Sequence, residues 1–234
     1  MITFDRAHKV TAMKKLNNIN GIIFGSTGII GSELAIRLGR LGANLILHGS
    51  SVKKLRMLDD EFKKMKQKTI LMPADITKNE FYKNLFNSVS SRFKKIDFLI
   101  NLIGSFPGLK PLTHLSYKEW DNLYEINFLS YWRVIKELEP LIRKSNMAKI
   151  IFLNNKEIAK GKAYHHTLSI FNHAKYSLMK VFEKENEKFN IETHMIEVPQ
   201  VNLGLTSALA GRKKLSKNLL ESSINEIVKK VCSK

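Results

Sequence analysis

Cysteine is almost missing from this 234-residue chain, which has one, Cys232. That excludes a disulfide framework and any zinc site built from several thiolates, so no metal site is expected; it also suits a reducing, cytoplasmic compartment. Arginine is scarce as well: of 39 basic residues, 8 are Arg and 31 are Lys. Against 21 acidic residues this leaves a net charge of +18. Such a charge can mark a nucleic-acid or anionic-membrane partner, but arginine is the residue best suited to bidentate phosphate and base recognition. The lysines come in short pairs, such as Lys53-Lys54, Lys94-Lys95 and Lys229-Lys230, and form no block. A solvated lysine-rich surface is therefore expected, without a nucleic-acid partner. No stretch approaches the roughly eighteen consecutive apolar residues of a membrane helix. The first ten residues carry Asp5, Arg6, His8 and Lys9 where a signal peptide would be apolar. With 5 prolines and 12 glycines, no linker-like stretch divides the chain.

What is present is the composition of one globular domain, 44 % hydrophobic and 26 % charged. We read a short N-terminal arm, residues 1–18, followed by a single domain over residues 19–234. Short apolar runs alternate with longer stretches of helical spacing. Strands are predicted near residues 19–24, 44–48, 69–72, 96–103, 149–153 and 192–198, and helices near 29–41, 52–65, 81–93, 116–145, 169–189 and 217–231. This alternation implies an α/β fold, a doubly wound Rossmann-type parallel sheet with helices on both faces. Ligands of such sheets meet the carboxyl ends of the strands, which makes the residues just after each strand candidates.

The first strand runs into Gly25-Ser26-Thr27-Gly28-Ile29-Ile30-Gly31 and then directly into a helix. Glycine at the turn avoids a Cβ clash, a second lets backbone approach a pyrophosphate, and a third lets helix and strand pack closely. The free N–H groups at the helix start would face the phosphates. Sites that prefer NAD carry Asp or Glu at the end of the second strand. Here that place reads His48-Gly49-Ser50-Ser51, followed by Lys53 and Lys54, which could meet a 2′-phosphate. The cofactor expectation therefore leans toward NADP(H) over NAD(H), with Gly25, Ser26, Thr27, Gly28, Ile30, Gly31, Ser50 and Ser51 as contacts.

Further on, the third strand ends in Asp75-Ile76, the fourth in Asn101-Leu102-Ile103-Gly104, and a helical stretch opens on Asn127 and meets Pro140. In this order, over residues 19–204, the chain resembles the short-chain dehydrogenase/reductase family. The resemblance implies cofactor contacts at Asp75, Ile76, Asn101, Gly104, Lys175 and Pro199. It implies hydride transfer between a nicotinamide and a small carbonyl or alcohol substrate. In that family a tyrosine exchanges the proton, and a lysine four residues later lowers its pKa and holds the ribose. A serine orients the carbonyl and an asparagine anchors a water relay.

This sequence departs from the pattern at two of those four places. The lysine is Lys175, but the residue four before it is Phe171, which has no proton to give. The serine pair after the fifth strand is Asn154-Asn155, and the asparagine is kept as Asn127. Asn127, Asn155, Phe171 and Lys175 are the catalytic positions so implied. Tyr164 and Tyr176 lie at the wrong offset from a lysine, His173 lies nearly opposite Phe171, and His165 and His166 are expected in a solvated loop. Gln200 follows Pro199 where the family has glycine, and the family's last strand is expected to be missing. Three readings follow: a family member with NADP(H) binding whose activity is impaired or lost, a pseudoenzyme; a working reductase with an atypical proton donor, such as a water held by Asn127 and Lys175; and a basic binding protein on the same scaffold. The resemblance also implies a homo-oligomer through residues 116–145 and 169–189, to which Tyr131, Trp132, Phe171, Tyr176 and Phe182 would add aromatic surface, although such residues more often belong to a core than to an interface.

Overall fold

Near-continuous buried runs on the central strands give the sheet two apolar faces, and each face is covered by helices. The structure is a computed structural model describing residues 15–154, 160–198 and 217–233. In chain order the elements are β1 (Asn20–Phe24), α1 (Ile29–Arg40), β2 (Asn44–Gly49), α2 (Val52–Lys64), β3 (Thr69–Pro73), α3 (Asn79–Ser90), β4 (Phe98–Asn101), α4 (Tyr117–Tyr124), α5 (Ser130–Ile142), β5 (Ala148–Asn154), α6 (His166–Glu185), β6 (Ile191–Glu197) and α7 (Lys217–Cys232). All strand pairs are parallel, in the order β3-β2-β1-β4-β5-β6. The order reverses between β1 and β4, so the crevice at their carboxyl ends is the topological switch point.

In β1, Ile23 points into a core shared with α1, α2 and α7, while Ile22 and Phe24 point into a second core shared with α3, α5 and α6. Lys149, at the start of β5, is 3 % exposed. Its ammonium donates to the Lys230 carbonyl at 2.8 Å and to the Ser233 carbonyl and hydroxyl, each at 2.6 Å. A cation thereby satisfies the open carbonyls at the C-terminal end of α7.

Two expectations need correction. The helix expected over 116–145 is α4, a π-helical turn Glu125–Leu129, and α5, which continues past Pro140 to Ile142. Apolar spacing does not register the one-residue expansion of a π turn. His165 and His166 are 3 % and 5 % exposed, not solvated, because Phe106 stacks on both rings at 6.2 and 4.8 Å. Of the five aromatics weighed between a subunit contact and the core, Tyr131, Phe171 and Phe182 are buried within this chain, and Trp132 and Tyr176 are exposed. Among the described residues no helix is long and apolar enough to cross a membrane.

Candidate functional site

The glycine turn forms a backbone cradle. Gly25 has φ +76°, a conformation open to glycine at little cost. A Cβ on Gly31 would lie 2.3 Å from the Gly25 carbonyl oxygen, so the helix can start this close to the turn only with glycine there. Ser26 is buried, and both its N–H and its hydroxyl donate to the His48 carbonyl at 2.9 Å, locking the turn to the end of β2. A Cβ on Gly49 would come within 2.6 Å of the Thr27 side chain, which makes this glycine part of the same fit. Gly28 is the N-cap of α1 and is exposed; no side chain caps the helix and no acid stands in its first turn, while Ile30 anchors it from below. The positive end of α1 is thus left open to an anion, the arrangement a pyrophosphate requires.

At the end of β2, Ser50 is exposed and Ser51 caps α2, accepting from the Lys54 N–H at 3.4 Å. No carboxylate stands at the end of β2; exposed Lys53, Lys54 and Arg56 follow it. Asp75 is exposed and accepts from the Thr77 N–H and hydroxyl at 2.9 and 2.8 Å, which holds its carboxyl below the usual range. Ile76 is 8 % exposed, and its carbonyl accepts from the Tyr82 hydroxyl at 2.7 Å. His48 is enclosed between the Phe24 and Phe81 rings, at 5.1 and 5.3 Å. Burial pushes its pKa down to about 4, against weaker opposing pulls from the Ala74 backbone and the Asp75 carboxylate.

Across the switch point, Asn101 is fully buried: its side-chain Oδ1 accepts from the Ile103 N–H at 3.1 Å, and its side-chain Nδ2 has no partner among the described residues. Gly104 leads to Ser105, whose N–H and carbonyl both pair with the Asn127 amide at 2.8 Å. The Asn127 side chain therefore fastens the segment after β4 and is not turned to a substrate. Four residues on, the Tyr131 hydroxyl donates to the Ile103 carbonyl.

On α6, Lys175 is 6 % exposed with its ammonium 4.7 Å from the centre of the Tyr131 ring. Burial lowers its pKa to about 8. Phe171, 4 % exposed, packs against Trp120, Tyr124 and Phe128 at ring separations of 5.7, 5.9 and 6.4 Å. Position 171 is accordingly an apolar plug one turn before the lysine. His173 and Tyr176 are exposed, as their helical phase implies. His166 pairs through Nε2 with the Gly108 carbonyl at 2.9 Å, binding the β4–α4 connection to the start of α6. Asn155, Pro199 and Gln200 lie outside the described residues. Among the described residues no three His, Cys, Asp or Glu side chains group to hold a metal ion.

The described site residues thus gather at the carboxyl ends of β1 to β4 and on the adjoining helices. Residues 21–217 match the family described as short chain dehydrogenase. The chain belongs to the short-chain dehydrogenase family. This short-chain dehydrogenase is 30 % identical to the D-beta-hydroxybutyrate dehydrogenase of Rhizobium meliloti over 132 residues, 56 % of this chain and 51 % of that protein, so the match spans about half of the relative's length. It is 28 % identical to an uncharacterized oxidoreductase of Listeria innocua over 197 residues, 82 % of this chain and 78 % of the other. Among solved structures it superposes on a short chain dehydrogenase from Escherichia coli CFT073 complexed with NADPH, with a TM-score of 0.85 and 18 % identity, covering 94 % of this chain and 93 % of that one. A short chain dehydrogenase from Pseudomonas syringae gives a TM-score of 0.85 at 19 % identity, covering 94 % and 91 %. At these identities the structural likeness establishes the fold alone.

Sequence reasoning gave Tyr131 no place at the site and missed Trp120, Tyr124 and Phe128. For Tyr131 and Tyr124 there was a signal, since they fall at i+4 and i−3 of Asn127 and so on its helix face.

Proposed function

We propose that this short-chain dehydrogenase binds NADP(H) in the glycine cradle and that its oxidoreductase activity on a small carbonyl or alcohol is impaired or lost. The observation that carries the second half is Phe171, an apolar plug where the family's proton-exchanging hydroxyl would stand. The open N-terminus of α1 and the tight Gly25–Gly31 contact fit a pyrophosphate. Lys53, Lys54 and the lack of a carboxylate after β2 favour a 2′-phosphate. The NADPH complex of the Escherichia coli relative in fold agrees with that choice.

A bound nicotinamide would supply or accept the hydride. This chain's part is then to hold the ribose with the Lys175 ammonium, to order the segment after β4 through Asn127, and to shield the reacting face with the aromatic cluster around Phe171. What it lacks is a side chain there to give or take the proton, a contribution typically worth ~10² to 10⁴ in rate. The Tyr131 hydroxyl is committed to the Ile103 carbonyl and does not replace it. The same reading places the protein in the cytoplasm as a homo-oligomer, with exposed Trp132 and Tyr176 at the subunit contact.

Fluorescence and calorimetric titration with NADPH and NADH, followed by turnover assays on a ketone panel, test the proposal. Binding of NADPH below millimolar without turnover is expected, and turnover should rise on combining Phe171→Tyr with Asn155→Ser. Failure of both cofactors to bind would remove the cofactor half; an ordinary rate from the unaltered protein would remove the other.

A further inference from the structure

Lys175 presents a problem of charge. It is buried, and among the described residues no carboxylate, phenol oxygen or carbonyl pairs with its ammonium. A cation removed from water needs some compensation. The only described group offering it is the face of Tyr131, 4.7 Å below the nitrogen and well inside the ~6 Å reach of a cation–π contact. The ring is itself held from two further directions. Phe152 of β5 meets it edge-on at 4.7 Å and 83°, and its hydroxyl donates to the carbonyl of Ile103, in the segment after β4. Tyr131 is 1 % exposed and follows Asn127 by one helical turn.

We infer that Tyr131 is the positioning residue for Lys175: its ring face holds the ammonium from α5, in the absence of a hydroxyl at position 171, and its hydroxyl fixes that ring to the segment after β4. One side chain thereby ties the lysine of α6 to the strand end that carries Asn101 and Gly104. The inference rests on the proposed role of Lys175 at the cofactor, but the Lys175–Tyr131 contact exists without a ligand and can be measured without one.

The test is the titration of Lys175 in the free protein, followed by ¹³Cε lysine NMR and assigned with Lys175→Met. A ring face that stabilises the ammonium must raise the midpoint over that of a ring-free site. Tyr131→Phe, which keeps the face, should leave the midpoint in place. Tyr131→Leu should lower it by about half a pH unit or more, the size of a modest cation–π term. If Tyr131→Leu does not fold, Tyr131→Phe with a progressively fluorinated ring keeps the shape and weakens the face. The midpoint should then fall stepwise with fluorination.

A midpoint unmoved by fluorination or by Tyr131→Leu would overturn the inference, as would Tyr131→Phe moving it as far as Tyr131→Leu. A parallel NADPH titration separates this outcome from the cofactor proposal. NADPH failing to bind while the lysine responds to the ring sinks the proposal and leaves the positioning contact standing; tight NADPH binding with an unresponsive lysine does the reverse.

Discussion

Phe171 and Lys175 lie one turn apart on α6, and the difference between their surroundings defines the site at the scale of single residues. The aromatic cluster around Phe171 is apolar, whereas Lys175 keeps a cation beside it at a pKa near 8. If the ammonium is what holds the ribose, NADPH affinity must fall as pH rises through that value, because the neutral amine makes a weaker hydrogen bond. A loss of roughly fivefold or more is expected between pH 7 and pH 9. Lys175→Met should bind weakly and without that pH dependence, which calorimetry over the range would read.

His48 gives a second pH effect of independent origin. Its folded pKa of about 4 lies below the 6.5 of the unfolded chain. The unfolded state therefore takes up a proton first as pH falls, so stability is present above 6.5 and is lost between 6.5 and 4. The cost approaches about 3 kcal/mol. Urea midpoints measured against pH should flatten over that window in His48→Phe relative to the unaltered chain.

At the scale of elements, the cradle depends on how closely α1 approaches the turn after β1. Gly31→Ala forces a Cβ to within 2.3 Å of the Gly25 carbonyl. It is expected to cost about 1–3 kcal/mol and to abolish NADPH retention, seen together by thermal melts with and without the cofactor. This part of the site was legible in the sequence, since glycine spacing between an apolar run and a helical one is a local signal. So were the six strands and most helix bounds, because short apolar runs and helical spacing read directly from residue types. The π turn at Glu125–Leu129 was not, for it shifts phase by one residue in a stretch that stays apolar on one side. The burial of His165 and His166 was equally hidden. It depends on Phe106, some sixty residues earlier in the chain, folding back across both rings. Tyr131 shares the buried face of α5 with Val134, Ile135 and Leu138, as its spacing allows, but its contacts with Lys175 and Phe152 come from other elements and leave no local signal.

For the molecule as a whole, the net charge of +18 is carried by basic residues, mostly lysines, in excess of the acids. Many surface lysines pair with acids one turn away on the same helix, as Lys63 with Asp59, Lys64 with Glu61, Lys180 with Glu183 and Lys184 with Glu187. Such exposed pairs contribute little to stability and cancel locally; the exposed basic residues that follow β2 are Lys53, Lys54 and Arg56. The exposed Trp132 and Tyr176 should make a contact between copies. Light scattering should report an oligomer for the unaltered chain and a smaller species for Trp132→Glu with Tyr176→Glu, with no loss of fold by circular dichroism.

The central claim is a cofactor site kept beside a proton-exchange position that is lost. It is tested most directly by one titration and assay series, with NADPH added to the unaltered chain and to Phe171→Tyr combined with Asn155→Ser. Both proteins should bind NADPH below millimolar, and only the double variant should turn over a carbonyl substrate, by ~10² or more above the unaltered chain. Turnover by the unaltered chain at the rate of the double variant, or no binding by either, would contradict the account.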